Sequence, residues 1–449
     1  MNTYEEILLK INSLDELHEK LSDLPPSPYK TNSTDDQRKG DFFELFTKLY
    51  LKAKYPGLYS DVWLLSEIPS KDLRKLNLKR EDRGIDLLAK YKYGDYVSIQ
   101  AKYRSSQQRL VLGDIDSFTS YSFASDVKNE YIESGLVVTT SDRPTNDSER
   151  PKLKFIERGD LQNFNDWNKI HALINNEKLS PKEIIKPYVF QQEIIDELVE
   201  YYSTGGDKAK MILPCGTGKT FISYWIMKTL NPKKILVAAP SIALVKQILD
   251  EWNERFIADD KFPSILVICS DDTVKKENDP YVSSVSEIIQ ETTTDKEKIK
   301  KFLNRDDEFQ LVISTYQSGE KLIEASKESN TVFDFAIYDE AHRTVGGKNF
   351  GALVLDENIK INQKLFMTAT EKFFLGNSEN DDPLSMDNQE FYGSKTVSRS
   401  YKEIIELDES PIIDYKILTL GISKQEILDY WKIDSNILVR YNTFIKIFL

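Results

Sequence analysis

The apolar residues of this chain follow two rhythms, and the change falls near Phe190. Beyond it, short unbroken apolar and β-branched runs recur at Ala209–Leu213, Lys234–Ala239, Ser264–Cys269, Gln310–Ser314, Phe335–Tyr338 and Lys364–Met367, with helical stretches between most of them. Strands buried on both faces show no alternation, so this rhythm predicts a parallel sheet with helices on both sides. Ahead of it the pattern is mixed. Residues 3–23 read as a helix carrying Ile7, Ile11, Leu14 and Leu21 on one stripe, ended by Pro25, Pro26 and Pro28. Residues 41–54 also read as helical, and strands are expected at Ile85–Ala89, Tyr96–Ala101 and Gly135–Thr140. Residues 172–187, with Pro181 and Pro187, read as a linker; the polar segments 270–305 and 375–390 read as a surface insertion and a loop.

Composition narrows the class. A length of 449 residues allows two to four domains at roughly 100–200 residues each. With 40% hydrophobic and 30% charged residues the chain can build ordinary cores. No apolar run reaches the roughly 18–20 residues that span a bilayer, so no membrane is expected as a partner. The acidic, amphipathic N-terminus is not a signal peptide. Two cysteines, Cys215 and Cys269, exclude a disulfide framework and fit a reducing, cytoplasmic compartment. His18, His171 and His342 are too scattered for a histidine zinc site. A net charge of −13 argues against a broadly basic nucleic-acid-wrapping surface. A local groove remains possible, and the stretch Lys71 to Arg83 is locally basic.

Two motifs answer each other in the second half. Pro214-Cys215-Gly216-Thr217-Gly218-Lys219-Thr220 follows a strand and precedes a helix. Such a loop can wrap backbone N–H groups around nucleotide phosphates, with Lys219 on the outer phosphates and the Thr220 hydroxyl on Mg²⁺. Asp339-Glu340-Ala341-His342 follows another strand, at the end where ligands bind in parallel sheets. Asp339 is placed to hold the ATP-bound Mg²⁺, Glu340 to polarise the attacking water, and His342 to couple the site to its neighbours. The strict loop pattern is not met, because Leu213 stands at the first glycine position. The variant present resembles the form in superfamily-two helicases and translocases. Phe190-Gln191-Gln192 resembles the glutamine motif that reads adenine, Ala239-Pro240-Ser241 a backbone-holding segment, and Thr368-Ala369-Thr370 the motif linking hydrolysis to strand movement. The resemblance therefore implies the first RecA-like domain of a DEAH-box ATPase, with Gln191, Gly216, Thr217, Gly218, Lys219, Thr220, Asp339 and His342 on the nucleotide and Thr368 and Thr370 in coupling.

The first half carries a second constellation: Glu44 on a helix, Asp86 at a strand, and Gln100-Ala101-Lys102 on the next strand. Alternation puts Gln100 and Lys102 on one face. Phosphodiester hydrolysis needs an anionic pocket for Mg²⁺ and a cation near the attacked phosphorus. Asp86 and Glu44 supply charge, Gln100 a neutral oxygen ligand, and Lys102 the cation. With Arg83-Gly84-Ile85-Asp86-Leu87-Leu88-Ala89 and Ile99-Gln100-Ala101-Lys102-Tyr103, the unit resembles the Mrr-like branch of the PD-(D/E)xK nucleases, which accepts glutamine at the Gln100 position.

A nuclease of this kind ahead of a DEAH-box motor resembles the type ISP restriction-modification enzymes. The resemblance implies an α/β chain with an N-terminal helix over 1–30, a nuclease domain over 31–171, a linker over 172–187, a first RecA-like domain over 188–400, and the start of a truncated second RecA-like domain over 401–449. That last part is expected to open with a strand at Asp414–Leu420 and a helix near Lys424–Trp431. No Gln-x-x-Gly-Arg-x-x-Arg pattern is present, so the chain reads as the N-terminal part of a larger protein, lacking C-terminal domains or partner subunits, binding ATP weakly and with little or no DNA-stimulated turnover. The expected function is Mg²⁺-dependent cleavage of double-stranded DNA coupled to ATP-driven movement. The alternatives are a helicase whose nuclease-like domain only binds DNA, and a nucleotide-binding product without turnover.

Overall fold

The N-terminal apolar stripe does not run as one helix. It forms α1 (Thr3–Leu8) and α2 (Leu14–Lys20), because Ser13 turns extended and caps the second helix by accepting from the Glu16 N–H. The expected stripe survives the break: Ile11, Leu14 and Leu21 are buried in the core that α3 (Asp35–Lys54) shares. The N-terminal stretch is thus part of the first sheet's packing, as two helices where the sequence reads as one.

The computed structural model describes residues 1–412 apart from residues 31 and 408 and segments 81–83, 93–94, 105–108, 124–131, 143–152, 180–185, 271–287, 347–349 and 375–383. In chain order there follow β1 (Tyr59–Leu64), α4 (Ser70–Lys75), β2 (Leu87–Tyr91), β3 (Tyr96–Lys102), α5 (Asp116–Phe123), β4 (Ile132–Thr139) and β5 (Leu153–Ile156). These strands make one sheet in the order β1-β2-β3-β4-β5. The β1–β2 and β2–β3 pairs are antiparallel, and β3–β4 and β4–β5 are parallel. One face, with Leu87, Val97 and Ile99, packs on α3; the other, with Leu88, Tyr96 and Val137, packs on Phe118 of α5. Then come α6 (Arg158–Gln162) and α7 (Trp167–Ile174), whose Trp167 stacks on Phe46 of α3. Helix α7 runs into the segment expected to be a linker, and residues 180–185 of that segment lie outside the described residues.

The second sheet is built from α8 (Val189–Ser203), β6 (Lys208–Ile212), α9 (Lys219–Leu230), β7 (Lys234–Ala239), α10 (Ile242–Asp259), β8 (Ser264–Ile268), α11 (Lys296–Leu303), β9 (Gln310–Thr315), α12 (Gly319–Ser329), β10 (Val332–Tyr338), β11 (Lys360–Thr368), α13 (Gln389–Tyr392) and β12 (Lys395–Ser398). Its order is β12-β6-β11-β10-β7-β9-β8, and its pairings are parallel. All six expected strands are present, and β12 joins at the edge beside β6.

The polar segment 270–305 is not only a surface insertion. Residues 288–293 return to the sheet, with Val267 donating to the Glu291 carbonyl and Thr293 donating back to Val267. Ile299, Phe302 and Leu303 of α11 are fully buried. Their i, i+3, i+4 spacing supplies a core stripe that the surrounding charges obscure.

Residues 1–400 form one compact unit that contains both sheets. A second unit, residues 401–449, is described through α14 (Tyr401–Ile405); the expected strand at Asp414–Leu420 and the helix near Lys424–Trp431 lie outside the described residues. Among the described residues no helix is long and apolar enough to cross a membrane.

Candidate functional site

The structure gathers the nucleotide-type residues at the C-terminal ends of β6, β10 and β11. Leu213 closes β6 by donating to the Thr368 carbonyl at the end of β11. The chain then turns through Gly216 (φ 83°) and Gly218 (φ 82°), both left-handed, and enters α9 at Lys219. Only glycine adopts that conformation without strain. At Gly218 a Cβ would also lie 2.7 Å from Gln191 Nε2. Gln191 is buried and grips the loop: its Nε2 donates to the Thr217 carbonyl at 2.8 Å, and its Oε1 accepts from the Tyr188 N–H at 2.9 Å. Its amide thus bridges the loop and the start of α8. The Thr217 hydroxyl donates to the Pro214 carbonyl, and Lys219 Nζ donates to the carbonyls of Leu213 (3.1 Å) and Pro214 (3.3 Å). The Lys219 ammonium therefore rests on the loop it would serve.

Asp339 ends β10 with its N–H on the Ala238 carbonyl and its own carbonyl accepting from the Tyr316 hydroxyl at 2.6 Å. Burial, then the neighbouring Glu340 charge, push its carboxyl up to about 6, while Lys219 acts the other way. A desolvated acid of this kind fits a bound cation, which would restore its charged form. Glu340 takes a left-handed conformation (φ 49°), which redirects the chain into the short turn carrying His342. His342 Nδ1 lies 2.9 Å from Thr368 Oγ1 and 3.2 Å from Glu340 Oε2. Burial lowers the pKa of this imidazole, against the pull of Glu340. The Thr368 hydroxyl donates to the Thr370 carbonyl and accepts from the Thr370 N–H. With that hydroxyl proton committed, a proton on Nδ1 would serve both Glu340 and Thr368. Glu340, His342, Thr368 and Thr370 thus form one continuous chain of contacts.

The nuclease-type residues meet where β2 and β3 begin to separate. Asp86 stands one residue ahead of β2. Its N–H donates to the Ile99 carbonyl, and its carbonyl accepts from Leu65. The next donor on β3, the Ala101 N–H, therefore bonds the Asp86 carboxylate, at 2.8 Å. This ties the acid to the strand carrying Gln100 and Lys102. Gln100 is 2% exposed, and its Oε1 has no hydrogen-bond partner among the described residues. Leaving such an oxygen unmet costs about 1–3 kcal/mol. A hard, oxygen-seeking cation such as Mg²⁺ fits it. Lys102 follows at i+2 on the same face and is half-buried.

Glu44 comes from a different direction. Its helix, α3, packs on the opposite face of β3, the face of Val97, Ile99 and Ala101. The ring of its neighbour Phe43 lies 6.1 Å from that of Tyr103, just past the end of β3, and Glu44 itself is half-buried. Among the described residues no group of three or more His, Cys, Asp or Glu side chains could hold a metal.

A clamp beyond β3 escaped sequence reading. The Arg104 N–H donates to Thr140 Oγ1 (2.8 Å), that hydroxyl donates to the Arg104 carbonyl (3.0 Å), and the Arg104 guanidinium pairs with Asp114 at 2.6 Å. It holds the ends of β3 and β4 beside Lys102. No spacing rule announces a contact across 36 residues.

Residues 51–176 match the family model for a restriction endonuclease, and residues 184–373 match that for the res subunit of type III restriction enzymes. A probable helicase of African swine fever virus is 30% identical over 202 residues, 44% of this chain and 20% of the viral protein. Its counterpart from another isolate is 28% identical over 233 residues, 49% of this chain and 23% of that protein. The solved structure of the ATP-dependent type ISP restriction-modification enzyme LlaBIII bound to DNA superposes with a TM-score of 0.61 at 29% identity, covering 81% of this chain and 24% of that one. The chain spans about a fifth of the viral relatives and a quarter of LlaBIII. It combines a restriction-endonuclease domain with a RecA-like helicase domain, in the order and fold of the type ISP enzymes.

Proposed function

We propose that this chain is the nuclease–translocase portion of an ATP-dependent DNA restriction enzyme, cleaving DNA phosphodiesters with Mg²⁺ and coupling cleavage to ATP-driven movement on duplex DNA. The observation that carries the reading is that one compact unit holds both constellations, Asp86–Gln100–Lys102 and Lys219–Asp339–Glu340.

In the nuclease site Asp86, Gln100 and Glu44 would hold Mg²⁺, which when bound polarises a phosphoryl oxygen and sharpens a water nucleophile. Lys102 contributes positive charge where the transition state becomes more negative. In the motor site the N–H groups of Gly216, Thr217 and Gly218 cradle phosphates, and Gln191 keeps that loop in shape. Lys219 leaves the Leu213 and Pro214 carbonyls for the outer phosphates. Thr220 and Asp339 would hold the nucleotide's Mg²⁺. Glu340 orients the attacking water, and the His342–Thr368–Thr370 chain reports on it.

The test is nicking of supercoiled plasmid by the purified chain with Mg²⁺, with and without ATP, beside Lys102→Ala and Lys219→Ala. Nicking lost at least about 100-fold in Lys102→Ala is expected, from the size of one transition-state cation or donor. Lys219→Ala should bind ATP about 10–100-fold more weakly, the worth of charge-assisted bonds to phosphate. Nicking by Lys102→Ala at the parental rate would overturn the nuclease assignment.

A further inference from the structure

Helix α10 has two working faces. At 18 residues it is about 27 Å long. One face is apolar: Val245, Trp252 and Phe256 are buried, Trp252 and Phe256 against Tyr224 of α9 and Phe256 also against Phe309. On this side the Trp252 indole N–H donates to the Thr220 carbonyl at 3.1 Å, and the Arg255 guanidinium lies 4.6 Å from the Phe221 ring centre. Both contacts fall on the first turn of α9, directly after Lys219.

The opposite face is polar and meets the first sheet's helices at i, i+7 and i+8. Lys246 is 4.0 Å from Asp160 of α6, Asn253 Nδ2 donates to the Lys54 carbonyl at the end of α3 at 2.8 Å, and Glu254 pairs with Lys169 of α7 at 3.1 Å. Lys169 is 1% exposed and is also held by Asp166 at 2.9 Å. A cation buried that deeply is tolerated only in a fixed geometry. The same two bodies are joined at a second place, where Lys154 of β5 and the Tyr91 hydroxyl of β2 grip the Ile289 carbonyl, and Lys154 also grips that of Gln290. The nuclease sheet is therefore seated on the motor, and Trp252, Asn253 and Glu254 in succession touch the nucleotide loop's helix, α3 and α7.

We propose that α10 transmits the nucleotide state to the nuclease domain, with Trp252 as the receiving residue and Asn253 and Glu254 as positioning residues. The inference rests on the nucleotide reading of the loop at 214–220. A phosphate that draws Lys219 and Thr220 shifts the first turn of α9; the indole contact passes the shift to α10, and the Glu254–Lys169 pair passes it to α7.

The test is amide hydrogen exchange on the full chain with and without a Mg²⁺-bound, non-hydrolysable ATP analogue, beside Trp252→Phe, Glu254→Gln and the milder Asn253→Ala. Binding itself is followed with a fluorescent ATP analogue. In the parent, nucleotide should alter exchange in α9 and also in α7. In Trp252→Phe the α9 response should remain and the α7 response fall to background. If the two ends are coupled, Glu254→Gln, remote from the loop, is expected to shift nucleotide affinity by about fivefold, the low end of typical couplings. Binding with an α9 response but no α7 response in the parent overturns the transmission and leaves the nucleotide reading intact. No binding at all removes that reading and this inference with it. If Glu254→Gln is poorly folded by its thermal transition, Asn253→Ala carries the same comparison.

Discussion

The two sites differ in how far the protein has already satisfied them. In the motor site nearly every working side chain has a partner: Gln191 on Thr217, Lys219 on Leu213 and Pro214, His342 on Thr368. In the nuclease-type site the Gln100 oxygen is buried and has no hydrogen-bond partner among the described residues. A loop that holds its own shape can bind and release nucleotide repeatedly at small cost. A site with an unmet buried oxygen would gain from a bound cation, so the Mg²⁺ proposed for it would contribute to stability as well as to chemistry.

The strongest way to break this comparison is Gln100→Leu. It should reduce Mg²⁺-dependent cleavage by about 100-fold or more, at least the loss seen when even an outer partner of a ligand is removed. It should also raise metal-free stability by about 1 kcal/mol, because an unmet polar group disappears. Urea unfolding read beside nicking separates the two, and a stability loss would contradict the picture of a strained oxygen. Next in size is Gly218→Ala. Its positive φ and the 2.7 Å approach to Gln191 predict a loss of about 1–3 kcal/mol and weaker nucleotide binding together. A variant that binds nucleotide normally would show that the Gln191 grip is dispensable.

Thr368→Val should matter less. It removes the hydroxyl between His342 and Thr370, at about 1 kcal/mol of stability, and leaves nucleotide affinity in place while lowering ATP turnover. Affinity and turnover falling together would move Thr368 from coupling to binding. The smallest effect is expected at Asp250, on the nuclease-facing side of α10. Its side chain is exposed, but desolvation by the elements around it is the first cause of a raised pKa, with Lys54 and Lys246 pulling it down. The folded state then holds this proton more tightly than the unfolded chain, so the group's contribution to stability falls as pH rises from the ordinary carboxylate range through the raised folded value. Asp250→Asn should flatten that part of the stability–pH curve; an unchanged curve would place the pH dependence elsewhere.

Much of this molecule is legible from its residues. The strands of the parallel sheet are readable because strands buried on both faces must be apolar throughout. The nucleotide loop is readable because left-handed turns demand glycine at Gly216 and Gly218. The strand β1, with the sequence Tyr-Ser-Asp-Val-Trp-Leu, and the short edge strand β12 were not, since partly exposed strands mix polar residues into the pattern. Nor was α11, whose core stripe of Ile299, Phe302 and Leu303 is set among lysines.

The residue types, their spacing along each strand, and the glycines that permit the loop follow from sequence alone, because they depend on local geometry and alternation. Which groups finally meet depends on long-range packing: Asp86 replaces a backbone acceptor for Ala101, Gln191 closes on Thr217, and Glu254 finds Lys169 across 85 residues. Such pairings are chosen by the need to satisfy buried polar groups once the cores have formed, and that need exists only in the folded chain.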